Sequence, residues 1–154
     1  MADLVFNIAK GRFVELYNRV DLNDPTTAEL YVLAINTTAT DAALRDLDTV
    51  AAIEADALTA EATNAGYARK VLTDTDIVAF APDDVNDRVD VDIPDQTFTA
   101  VAAGSNWTDI VIAYGLNGGA DSAKVPLTLH DFVVTPSGAD IVMQVATAGF
   151  ARAT

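Results

Sequence analysis

The chain holds one imidazole, His130, with the carboxylate of Asp131 after it and the hydroxyl of Thr128 two places before it. Imidazole is the side chain whose ordinary pKa suits acid–base work near neutrality, so an acid, a base and a hydroxyl this close together raise nucleophilic catalysis. The rest of such a machine is missing. No GxSxG elbow, phosphate-binding glycine loop or GxGxxG turn occurs in the 154 residues. The His-Asp pair therefore reads as structural hydrogen bonding within a strand, and the protein as a non-enzyme.

Hard oxygen donors gather later, at Asp83, Asp84, Asp87, Asp90, Asp92 and Asp95. Ca²⁺ and Mg²⁺ need such donors, yet the order does not follow an EF-hand loop. Asp90 and Asp92 share one strand face, where two like charges gain from a cation or from an opposing Lys or Arg. The segment reads as a solvated acidic loop and strand; Asp83, Asp84, Asp87, Asp90 and Asp92 are the candidate ligands should a divalent cation bind, and no other cofactor is expected. Paired carboxylates also serve glycosidases, but neither a sugar-stacking platform nor a signal of a raised pKa accompanies these. With no cysteine in the chain, disulfides, Cys-ligated zinc and thiol nucleophiles are excluded.

Aromatic and basic residues offer contact instead of reaction. Trp107 and Tyr114 bracket an apolar run, and Tyr67 stands beside Arg69 and Lys70, an adjacent basic pair in an acidic chain. Such rings are core residues in most small β domains, and strong interface anchors where exposed. Arg12, Tyr17, Tyr67, Arg69, Lys70, Trp107 and Tyr114 are the interface candidates, with the Arg69 strand the place to seek an ion pair between subunits.

The elements that must position these groups are mostly strands. Val, Ile and Thr number 17, 8 and 17, and Asp outnumbers Glu by 19 to 4; branched Cβ atoms suit a pleated sheet, and Asp suits turns and caps better than helix interiors. Alternation predicts two short strands between Leu4 and Val20 joined around Lys10-Gly11, then a turn at Asn23-Asp24-Pro25. Glu29 to Ile35 is apolar enough for a central buried strand. A helix is predicted over 41–56, with Thr40 as N-cap and Asp41 in the first turn. Strands follow at Gly66–Leu72, Ile77–Phe80, Arg88–Ile93, Phe98–Ala102, Trp107–Tyr114, Val125–Val134, Ile141–Ala146 and Phe150–Arg152, with a turn or cap at Thr73–Asp76. This pattern predicts a mainly β fold, an antiparallel β-sandwich or jelly-roll-like barrel with one short helix, in a single domain spanning 1–154. Residues 1–20 either complete this subunit's own sheet or reach into a neighbouring copy.

A net charge of −14 disfavours nucleic acid and anionic membrane surfaces as partners. It is unevenly spread: residues 1–20 carry +1, 21–62 carry −8 and 72–95 carry −7. No apolar run approaches the roughly 20 residues of a membrane helix, and no cationic leader opens the chain; a soluble protein made in the cytoplasm is expected.

Four strings, MADLVFNIAKGRFVELYNRV, GYARKVLTD, VDIPDQTFTAV and PLTLHDFVVTPSGADI, resemble a tailed-bacteriophage virion structural protein, and the similarity spans nearly the whole chain. The resemblance implies a capsid decoration or cement protein on the outer surface of the head, self-associated as a trimer or dimer and bound to the major capsid protein. It transfers no catalytic residue. A tail or neck component, and a carbohydrate-binding module for host attachment resting on exposed Trp107 and Tyr114, are the alternatives.

Overall fold

Two ten-residue strands organise the molecule: β2 (Ala28–Thr37) and β7 (Trp107–Leu116), antiparallel and in register from Ala28 opposite Leu116 to Ile35 opposite Asp109. Both are buried along almost their whole length, which is why Glu29 to Ile35 shows a continuous apolar run instead of alternation. The computed structural model describes residues 3–154. Outward from this pair lie β8 (Val125–Val134) on β7, β1 (Leu4–Val5) on β8, and β3 (Thr59–Glu61) with β4 (Lys70–Leu72) on the far edge of β2. Two further antiparallel pairs complete the strands: β5 (Val89–Val91) with β10 (Ala151–Ala153), and β6 (Gln96–Phe98) with β9 (Ile141–Met143). The fold is mainly β and sandwich-like, as the sequence predicts.

The six-stranded sheet is covered on both faces. Over the face of Val32, Ile110 and Ile112 lie the two small sheets and a helix, α1 (Phe13–Asp21), which touches β2 and β5. Over the face of Tyr31, Leu33 and Ile35 lie two short helices, α2 (Asp41–Arg45) and α3 (Val50–Ala55), and the loop before β8; Val50 donates its amide to Lys124 at 3.1 Å. One apolar core runs from Leu4 through Trp107 to Met143. Among the described residues no helix is long and apolar enough to cross a membrane.

Several predicted elements differ, among them Phe98–Ala102, where the strand is instead Gln96–Phe98. The second predicted strand before Val20 is helix α1, because Phe13, Leu16, Tyr17 and Val20 bury one face at three- and four-residue spacing, while Glu15 and Arg19 pair at 2.7 Å outside. Alternating Val14 and Leu16 masked that stripe. Ahead of that helix, Leu4 and Val5 pair with Leu129 and Thr128 of the same chain; Met1 and Ala2 lie outside the described residues. The predicted 41–56 helix is broken into two, each started by its own threonine: the Thr40 hydroxyl accepts from the Ala43 amide and that of Thr49 from the Ala52 amide. Ile77–Phe80 forms no ladder; Val78 makes one backbone bond, to Asp92.

The Gly66–Leu72 strand is real only over its last three residues. Both β3 and β4 use the same edge of β2, at Ile35–Thr37 and Leu30–Val32. The gap between them is plugged by a side chain: the Ala34 amide donates to the Tyr67 hydroxyl at 3.0 Å, and the Ala34 carbonyl accepts from the Ala62 amide at 2.9 Å. Gly66 makes the turn possible. Its φ is +87°, and a Cβ there would meet the Ala100 carbonyl oxygen at 2.7 Å.

Candidate functional site

Three polar constellations stand where chemistry was sought. The first lies on β8. His130 and Asp131 are neighbours on a strand and so face opposite sides of the sheet; the residue that approaches the imidazole is Asp3, 3.3 Å from Nδ1, while Nε2 lies 2.9 Å from the Thr128 hydroxyl. Asp3 also accepts from the Asp131 amide at 3.0 Å. An acid, an imidazole and a hydroxyl therefore do line up, through a residue far away in sequence. Thr128 is almost fully buried, so its oxygen faces the imidazole and not an approaching substrate. The arrangement fastens the amino-terminal segment to β8 beside a cleft of about 220 Å³ floored by Ile110 and Ile112 and rimmed by Phe132 and Phe150.

On the other face of β8, Asp131 stands directly opposite Asp109. Asp109 is 0% exposed, and among the described residues neither of its carboxylate oxygens meets a hydrogen-bond partner in good geometry. Burial pushes its pKa up, and the neighbouring Asp131 charge adds to the rise. No signal in the local sequence marks this position, because TDI within an apolar strand reads as an outward-facing Asp.

The second constellation is built on Arg69. Its guanidinium grips Glu61 with two bonds, from Nε to Oε1 at 2.8 Å and Nη2 to Oε2 at 2.6 Å, and donates from Nη1 to Asp121 at 2.7 Å and from Nη2 to Glu54. Lys124 joins through Asp121 at 2.7 Å and sits over the Tyr31 ring, 4.7 Å from its centre. The Glu61 hydrogen bond holds the Arg69 pKa up, and Arg69 holds that of Asp121 down. Glu54 moves upward: its burial and the Asp121 charge outweigh the attraction of a guanidinium shared by three carboxylates. Arg69 thus ties α3, β3 and the loop before β8 together within the chain. Tyr67 donates to Glu61 at 2.8 Å and packs on Phe98 and Trp107, with ring centres 5.8 and 5.3 Å away.

No family model, curated protein or solved structure matches this chain.

The remaining interface candidates divide by burial. Trp107 is 0% exposed, its indole N–H donating to Asn64 at 3.1 Å, and Tyr114 is buried; neither offers a sugar-stacking face. Tyr17 is buried too, its hydroxyl donating to the carbonyls of Val78 and Asp92 and its pKa pushed up to about 12 by that burial. Lys70 is half-buried, with Nζ 5.1 Å from the centre of the Phe98 ring. Only Arg12 is well exposed.

The third constellation is the acidic segment. Arginines occupy its centre: Arg152 donates to Asp90 at 2.5 Å, and Arg88 lies 3.2 Å from both Asp83 and Asp90. The Arg152 hydrogen bond draws the Asp90 pKa down. Asp83 also caps its own turn, accepting from the amides of Val85 and Asn86 at 3.2 Å. The opposing charge predicted for Asp90 is thus supplied by the chain itself. Asp84 and Asp87 point outward, and Asp92 has one buried oxygen without a partner, with burial raising its pKa. Among the described residues no three of these groups converge as a metal ion would require.

Proposed function

We propose that this chain is a non-enzymatic structural protein of a tailed-phage virion that binds the outside of the capsid, through the major capsid protein, and stabilises the head. The observation that supports an assembly role is the use made of the charged side chains. Arg69, Arg152 and His130 each meet carboxylates of distant segments of their own subunit, which builds a rigid scaffold and leaves recognition to the surface. A module repeated many times over a shell gains from such rigidity, because each copy buries modest area and avidity does the rest. The virion part of the reading rests on the four sequence strings.

A tail or neck component would have the same scaffold at a lower copy number. The carbohydrate-binding alternative loses the feature that suggested it, since Trp107 and Tyr114 are inside. Quantitative mass spectrometry of intact virions, combined with a cryo-EM map of the same particles, tests the proposal. Hundreds of copies over the head are expected; a handful of copies, or density in the tail alone, would overturn the capsid assignment.

A further inference from the structure

We infer that copies of this chain dock on one another by seating the Asp83–Asp87 turn of one in a basic, apolar cleft alongside α1 in the next. The turn is unusual in what it holds out. Val85 is 90% exposed at its tip, flanked by Asp84 and Asp87, which make no ion pair among the described residues. The tip is stiffly presented: the Asp83 carboxylate caps the Val85 and Asn86 amides, and Asp83 bonds across the turn to Arg88 through both backbone groups. A large apolar side chain held rigidly in water between two carboxylates is costly unless a partner covers it.

The complementary surface lies elsewhere on the same chain. A cleft of about 340 Å³ is lined by Arg12, Arg19 and Lys124 together with Tyr114, Leu116 and Val125. In a chain of charge −14 with nine Lys and Arg, three line this one cleft, and no acidic side chain lines it. Lys124 is held by Asp121 and the Gly119 carbonyl, and Arg19 by Glu15, but Arg12 makes no ion pair among the described residues. Leu116 at the cleft is 41% exposed. An apolar floor with a free guanidinium at its rim matches an apolar tip with free carboxylates beside it, in both hydropathy and sign. The occupant is taken as a second copy because the apolar tip flanked by carboxylates that complements this cleft in sign and hydropathy is on this chain itself.

The two surfaces share no residue, so each copy offers both at once. Two copies can exchange tips in a twofold pair, or three can pass them around a ring. The inference deepens the self-association within the proposed function, but it is tested on purified protein without particles, so it can fail while the capsid reading stands, and the reverse.

The experiment is sedimentation equilibrium of the wild type, Arg12→Glu, Asp84→Arg and the double variant, with far-UV circular dichroism and melting checked for each. Both positions are exposed, so the fold is expected to persist. The wild type should self-associate, each single reversal should weaken association about tenfold or more, and the double variant, whose tip and cleft are again opposite in sign, should recover most of the loss. Val85→Asp should weaken association with no change in melting. Either a monomeric wild type at millimolar concentration, or association indifferent to all three substitutions, would overturn the proposal. Association abolished by Val133→Asp alone would also overturn it, placing the contact on the open end of β8, where Val133 is 86% exposed.

Discussion

Glu61, Ile35, Asp109 and Asp131 form one row across β3, β2, β7 and β8, and the two ends of that row treat a carboxylate in opposite ways. Glu61 accepts two bonds from Arg69 and one from Tyr67. Asp109, two strands away on the same face, is buried with no cation paired to it among the described residues. The first carboxylate is paired with a cation, and at the second burial penalises ionisation. The sheet is the same; what differs is whether a segment outside the ladder brings a guanidinium. Residues 62–69 leave the edge of β2 and return carrying Tyr67 and Arg69, whereas β8 brings a second carboxylate to Asp109.

Breaking the paired end from its aromatic support should cost most. Trp107→Ala removes the ring against which Tyr67 and Phe98 pack edge-on, and should lower stability by about 3–5 kcal/mol in urea denaturation, with loss of Tyr67 amide protection. Removing the guanidinium itself comes next. Arg69→Met should cost about 2–4 kcal/mol at pH 7, below the cost for a fully buried pair because the site is partly open to water. The Asp121 pKa is held below its unfolded value, so its share of that stability exists above the unfolded value and vanishes as pH falls through the folded one. The gap between wild type and variant should therefore narrow toward pH 3; a constant gap would mean that packing, not charge, makes the cluster.

Asp109→Asn sharpens the contrast in the other direction. The Asp109 carboxyl titrates above its ordinary 3.8 in the fold, so below that value burial carries no ionisation penalty; as pH rises the unfolded chain releases its proton first and the folded protein loses stability until its own pKa is passed. The carboxamide escapes that loss and can donate to Asp131. It should stabilise by about 1–3 kcal/mol at pH 7 and by much less at pH 3, read from melting at the two pH values; equal effects would show that the carboxyl is not penalised. The smallest effect is expected at the exposed pair. Arg152→Ala should leave the melting midpoint unchanged and speed amide exchange in β10 and β5 alone.

Much of the architecture was legible because it follows from short-range pattern. β8 runs from Val125 to Val134 as the alternation and turns predict, the buried run of β2 declares itself, and Thr40 and the Thr73–Asp76 capping box announce their turns. Helix α1 was misread because its residues satisfy a period of two and a period of 3.6 at once, and contact with β2 and β5 decides between them. At the candidate sites the direction of the aromatic residues was not legible: whether Trp107 faces core or water depends on the strand pairing that buries both sides of β7.

The sequence by itself determined a mainly β chain with its long strands, its turns and its uneven acidic charge, since propensity, periodicity and capping act within a few residues. Tertiary structure alone decided that Asp3 and not Asp131 meets His130, that Arg69 closes on Glu54 and Asp121, and that Asp109 is buried opposite Asp131. These contacts join segments from 15 to more than 100 residues apart, and partners at that separation are set by sheet register and loop path, which no local pattern encodes.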